Sequence, residues 1–192
     1  MFIQKFIKVI KAIIRNINRS WSIFCTHIIF WGNGIKHHDI IAYGIPCVNV
    51  SLGGKCFIGK KFRITTGVNY SLVGTLGTRI LVGQKGVLQI GNNVGMTNTT
   101  IVAQEAVTIG DNVMIGGGVQ IFDTNFHSTD AKIRTSGKET PDDVKKKPVV
   151  IGKNVFIGTN AIICKGVVIP DETIIPAGSV VYSSKSSDFI VK

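Results

Sequence analysis

A histidine near carboxylates can move protons close to neutral pH, and His127 stands between Asp123 and Asp130 in the run Asp123-Thr-Asn-Phe-His127-Ser-Thr-Asp130. His127 is therefore a candidate general base, with Asp123 and Asp130 as candidate orienting or substrate-binding carboxylates. A second histidine cluster lies in Lys36-His37-His38-Asp39. Adjacent histidines point in different directions and make a poor metal pair, so these read as surface or packing residues, and no metal site is expected. Cys25, Cys47, Cys56 and Cys164 show no Cys-x-x-Cys spacing and read as small hydrophobes of a reducing compartment.

What must position His127 is a repeat. From Ile151 an aliphatic residue recurs every sixth position, at Ile151, Ile157, Ile163, Ile169, Ile175 and Val181, with smaller residues four places on at Val155, Ala161, Val167, Thr173 and Ser179. Neither an α-helix nor a lone strand has that period, whereas a solenoid of short flat sides does. Three six-residue sides close one triangular coil, and stacked coils hydrogen-bond at a strand spacing of about 4.8 Å. The same register runs upstream through Ile109, Ile115 and Ile121, and through Leu52, Ile58 and Ile64 with Cys56, Phe62 and Val68. Between residues 65 and 108 the phase slips, as a bulge or an extra corner residue would make it.

Counting in sixes from Ile121 calls for an aliphatic residue at 127, where histidine stands instead, and the phase resumes only at Ile151. Residues 123–147 therefore form an excursion loop, the kind of segment that carries binding or catalysis on a rigid scaffold. The expected organisation is one coil domain over 39–185, a helical segment over 1–38 and a tail over 186–192.

The first segment carries Lys5, Lys8, Lys11, Arg15, Arg19 and Lys36 and no acid, with Phe2, Phe6, Ile10, Ile13, Ile14 and Ile17 at helical spacing. This is a basic amphipathic helix, which either packs its apolar face on the coil or a neighbouring subunit, or lies on an anionic membrane surface. Ile23–Trp31 is apolar but too short to span a bilayer, and lysines interrupt any secretory core, so the expected location is cytoplasmic with peripheral membrane contact as an option. The net charge of +11 favours anionic partners, but no nucleic-acid motif accompanies it, and nucleic acid is not expected.

The runs Ile109-Gly-Asp-Asn-Val-Met-Ile-Gly, Asp123-Thr-Asn-Phe-His127 and Pro148-Val-Val-Ile-Gly-Lys-Asn-Val-Phe-Ile-Gly-Thr-Asn-Ala together resemble the hexapeptide-repeat O-acetyltransferases. The likeness is to the galactoside and maltose acetyltransferase group, and more closely to the acetyltransferases of capsule and O-antigen assembly; it covers residues 80–181 well and 50–79 loosely. It implies an all-β fold, a left-handed parallel β-helix, assembled as a homotrimer with sites between subunits, in which acetyl-CoA donates to a sugar hydroxyl of a surface polysaccharide or its precursor. Carried over by motif, His127 matches the general base and Asn98 the residue holding the acceptor. Thr159 matches a backbone donor to the thioester oxygen, and Ala177 a pantetheine contact. The usual Val-Thr-Lys ending is replaced by Val181-Tyr-Ser-Ser-Lys185, which leaves Lys185 or Lys165 to meet the CoA phosphates. An N-acetyltransferase acting on an amino-sugar nucleotide and a non-catalytic scaffold remain the alternatives. Hexapeptide-fold carbonic anhydrases would need three zinc-binding histidines, and only His127 lies in or beside the coils.

Overall fold

The structure is a computed structural model that describes residues 2–67, 70, 77–182 and 190–191. Helix α1 (Phe2–Gly32) leads into six successive coils of a left-handed parallel β-helix. Coil one holds β1 (Ile40–Tyr43), β2 (Cys47–Val50) and β3 (Lys55–Ile58), and coil two β4 (Phe62–Thr65), β5 (Arg79–Val82) and β6 (Val87–Ile90). Coil three holds β7 (Gly95–Thr97), β8 (Thr100–Ala103) and β9 (Ala106–Ile109), and coil four β10 (Met114–Ile115), β11 (Gln120–Phe122) and β12 (Val149–Ile151). Within the excursion loop between β11 and β12 lies the short helix α2 (Ala131–Thr135). Coil five holds β13 (Phe156–Ile157), β14 (Ile162–Ile163) and β15 (Val168–Ile169); β16 (Thr173–Ile175) and β17 (Val180–Val181) begin a sixth, and β18 (Ile190–Val191) pairs antiparallel with β16.

Each strand pairs in parallel with the strand three places on, which builds three walls. The first wall stacks β1, β4, β7, β10, β13 and β16, the second β2 through β17, and the third β3 through β15. The inward residues form ladders: Ile80, Ile101, Ile121, Ile163 and Val181 face one another in register on the second wall and all are buried. Side chains of matched shape stack at about 4.8 Å, and each buried aliphatic contributes about 1.5–3 kcal/mol.

Asparagine suits the corner between the third and first walls because it tolerates positive φ. Asn93, Asn112 and Asn154 have φ of 54°, 58° and 58°, and their side chains hydrogen-bond in a ladder, Asn93 Nδ2 donating to Asn112 Oδ1 and Asn112 Nδ2 to Asn154 Oδ1, both at 3.0 Å.

The register explains where the six-residue period is visible. Partners are 18 residues apart from Ile157 to Ile175, the length of three hexapeptides, but 19 apart from Met96 to Ile115 and 20 from Ile101 to Ile121. Extra corner residues absorb the difference. The step from Ile64 to Met96 is 32 residues, so the slip after Thr65 is more than a bulge: residues 66–78 are an insertion in the sequence between β4 and β5. Its root is pinned where Thr78 N donates to Thr66 Oγ1 at 2.7 Å; Val68, expected in the repeat register, lies outside the described residues. Leu52 corrects a second expectation. It is 94% exposed in the turn after β2, and it is Val48 that stacks in register on Ile80.

Helix α1 meets the coil through β1, with Ser22, Thr26 and Phe30 buried. It ends in a Schellman turn: Ile35 N donates to Phe30 O and Gly34 N to Trp31 O, both at 2.9 Å, with Gly34 at φ 64°. Of the placements expected for its apolar face, the chain's own coil is not the one taken: Phe6, Ile10, Ile13, Ile14 and Ile17 are all exposed.

Candidate active site

The excursion loop leaves the coil at the corner between the second and third walls. Its root is a short antiparallel clamp, in which Thr124 bridges Lys146, Asn125 N donates to Lys145 O at 3.1 Å, and Lys147 N donates to Asp123 O at 2.9 Å. The two chain ends of a long loop are thus held at strand spacing, and residues just above the clamp inherit the rigidity of the wall.

Phe126, immediately before His127, has φ 63°, a region that a bulky side chain rarely adopts. It is held there by Phe126 N donating to Thr124 Oγ1 at 3.1 Å and by an edge-to-face contact with Phe122, ring centroids 5.1 Å apart. Backbone strain kept in place by its surroundings aims the next side chain outward. The His127 side chain is 69% exposed, and its Nδ1 lies 2.9 Å from Oε2 of Glu139. Glu139 is only 20% exposed, and its other oxygen accepts from Ser128 N. The Ser128 amide first, and then His127, hold the Glu139 carboxyl below the usual carboxylate range. An ionised carboxylate at Nδ1 can only accept, so the neutral imidazole carries its proton there and presents a lone pair at Nε2. Arg134 Nη1 donates to Ser128 O at 2.7 Å and completes the support from α2.

The two carboxylates expected to orient His127 are placed elsewhere. Asp123 is fully buried, and its oxygens accept from Gln104 N at 2.8 Å and Glu105 N at 2.7 Å, across the coil above. Burial pushes its pKa up while these backbone donors pull it down, and burial prevails. Asp130 caps α2, its Oδ1 accepting from Lys132 N at 2.8 Å. The orienting role falls to Glu139, twelve residues after His127 across α2, and the only mark it leaves in the sequence is that of an acid within the same loop. A cleft of about 320 Å³ opens beside this pair, lined by Gln104, Thr124, Phe126, Glu139, Pro141 and Lys146 among others.

Asn98, Thr159 and Ala177 share a different edge, the corner between the first and second walls, on coils three, five and six. Asn98 has φ 42° and is buried, its Oδ1 accepting from Gly67 N at 2.8 Å at the root of the inserted segment. Gly116 and Gly158 make this edge close-packed: a Cβ on Gly116 would sit 2.8 Å from Thr159 N, and one on Gly158 would sit 2.4 Å from Ala177 N. Glycine here lets successive coils approach backbone to backbone, which a Cβ would prevent. Lys165 lies on the same edge as the excursion loop, one coil further, next to Gly166, whose N donates to Lys147 O at 3.2 Å. Lys185 lies outside the described residues. One chain therefore places His127, Glu139 and Lys165 on one edge of the prism and Asn98, Thr159 and Ala177 on another.

Of the other histidines, His38 is exposed, whereas His37 Nε2 lies 2.9 Å from Nδ1 of His27, a partner with no sequence neighbour to suggest it. All four cysteines are free, and burial pushes the Cys56 thiol up to about 12.

Residues 148–183 match the family model described as the hexapeptide repeat of succinyl-transferase. Among solved structures, one from a crystallographic analysis of the polysialic acid O-acetyltransferase OatWY matches 76% of this chain and 80% of that chain, with 22% identity and a TM-score of 0.42. No curated protein matches the chain.

Proposed function

We propose that this hexapeptide-repeat protein is an acetyl-CoA-dependent O-acetyltransferase acting on a sugar hydroxyl of a surface polysaccharide or its precursor. The observation that carries the reading is the Glu139–His127 pair: an exposed imidazole, fixed in one tautomer by a carboxylate at 2.9 Å, at the point where a hexapeptide repeat is interrupted.

In this reading Nε2 of His127 takes the proton of the acceptor hydroxyl as its oxygen attacks the thioester carbonyl carbon. The backbone N–H of Thr159 meets the carbonyl oxygen as negative charge develops on it, and Ala177 holds the pantetheine arm. Collapse of the tetrahedral intermediate expels the CoA sulfur, which takes the proton back from the imidazolium. Asn98, buried with its Oδ1 on the Gly67 amide, positions the acceptor through the corner of the coil that it pins. Lys165 and the chain's net charge of +11 suit the CoA phosphates. Because these groups occupy two edges of one chain, they act together only if neighbouring copies bring unlike edges face to face, as a homotrimer does. The helix α1 has no segment long and apolar enough to cross a membrane, and the reaction belongs on the side where acetyl-CoA is made, the cytoplasm.

The test is thiol release from acetyl-CoA in the presence of a panel of sugars, oligosaccharides and sugar nucleotides. Acceptor-dependent release with an ester product supports the assignment. An amide product would move it to N-acetylation, and no release with any acceptor, together with no thermal stabilisation by CoA, would leave a scaffold.

A further inference from the structure

Helix α1 uses only one of its sides to meet the coil. Ser22, Thr26 and Phe30 lie on that side and are buried, with Gly44 N donating to Ser22 Oγ at 3.1 Å. At about 100° per residue the opposite side carries Phe6, Ile13, Ile17, Phe24, Ile28 and Trp31, all exposed, an apolar stripe unbroken over about 38 Å. Towards the N-terminus the coil-facing side is continued by Lys8, Lys11, Arg15 and Arg19. None of the 31 residues of the helix is acidic.

We propose that α1 lies in the surface of an anionic bilayer, with its apolar stripe in the acyl boundary, its lysines and arginines towards the aqueous side of the headgroups, and the coil held above. Three features select a bilayer over a second copy of the helix. A second α1 would bring five more cations against these five with no acid to pair them, whereas anionic headgroups supply the missing charge. The stripe is broad: Ile7, Val9 and Ile14 widen it to nearly half the circumference, where a helix–helix seam is narrow. It also carries Trp21 and Trp31, and tryptophan favours the headgroup boundary. Trp21 lines a shallow cleft with Ile45 of coil one, so the apolar surface extends from the helix onto the coil, and the anchored half of α1 fixes how the coil stands on the membrane.

The full chain sedimented with phosphatidylglycerol–phosphatidylcholine vesicles should pellet, and should do so far less with phosphatidylcholine alone or at high salt. Lys8→Gln and Lys11→Gln should each weaken partitioning about fivefold. Ile13→Glu/Ile17→Glu, at exposed positions, should abolish it while leaving the circular dichroism of the coil and the oligomeric mass from light scattering unchanged. The proposal is overturned if the wild type stays in the supernatant with anionic vesicles, or if the double variant pellets as the wild type does. A changed oligomeric mass in the double variant would likewise overturn it, by assigning the stripe to contact between copies.

Discussion

At the scale of residues, the proposed catalysis rests on which nitrogen of His127 is free. Glu139 holds the proton on Nδ1, so removing the imidazole and removing its support have distinct consequences. His127→Ala should lower kcat by about 10²- to 10⁴-fold with little change in CoA affinity, the usual contribution of a general base. In Glu139→Gln the amide NH₂ must face either the Ser128 N–H, which loses that bond, or His127 Nδ1, which can accept from it only once the ring proton has moved to Nε2. The expected result is a loss of at least about tenfold in kcat, smaller than that of the alanine variant, because the imidazole now carries its proton on Nε2 for part of the time and cannot act as a base there. A Glu139→Gln enzyme with full turnover would remove the pair from the mechanism. Asp123 behaves differently. Asp123→Ala should take the acceptor from the part-buried Gln104 and Glu105 amides and lower stability by about 1–3 kcal/mol in all, read as a fall in Tm. The histidine is legible in the sequence because the repeat demands an aliphatic residue at its place, but its carboxylate is not. Asp123 and Asp130 are nearer in the chain, and what decides between three acids is the fold of the loop: the coil's amides take one, the α2 cap takes another, and Glu139 is left facing the ring.

At the scale of elements, the same contrast runs through the coil and the helix. From Ile151 onward each coil is 18 residues, so the period shows itself; upstream, coils of 19 and 20 residues and the segment 66–78 break the count without disturbing the ladders. The amphipathic character of α1 is equally plain, yet which side it buries is not. Its C-terminal half buries the more polar side, because the Ser22 and Thr26 hydroxyls donate back to Asn18 O and Ser22 O at 2.7 Å and need no water. That attachment carries a titratable pair. His37 Nδ1 faces Ile35 O at 2.9 Å and must donate to it, so neutral His37 accepts at Nε2 from His27 Nδ1–H. Burial first, and the His37 ring second, lower the His27 pKa from 6.5. Below about pH 6.5 the unfolded chain therefore binds a proton at His27 that the folded chain resists, and stability falls as pH drops towards the lowered value. Thermal melts across this range should show a shallower acid slope in His27→Gln than in the wild type. An identical slope would mean that the pair is not linked to folding.

At the scale of the molecule, the walls of a triangular prism keep its three edges apart, and the residues proposed for one reaction stand on two of them. His127 and Glu139 rise from the corner between the second and third walls, while Asn98, Thr159 and Ala177 follow the corner between the first and second. No rotamer change can join residues separated by a packed core of isoleucine ladders, so one chain holds two half-sites. In the proposed homotrimer, a closed ring of copies would pair each His127 edge with the Asn98 edge of the next copy, which would give as many complete sites as subunits. This can be tested without knowing the geometry of the assembly. Chains carrying His127→Ala and chains carrying Asn98→Ala are each expected to be inactive alone. When the two are co-expressed in equal amounts, an interface is complete where an Asn98→Ala chain supplies the histidine and a His127→Ala chain the asparagine, which random assembly yields at about one quarter of interfaces. Acceptor-dependent thiol release should therefore return to about one quarter of the wild-type rate per chain, and should depend on co-assembly rather than on mixing after purification. If both half-sites belonged to one chain, every mixed assembly would stay dead, because each chain would still lack one of the two residues it needs.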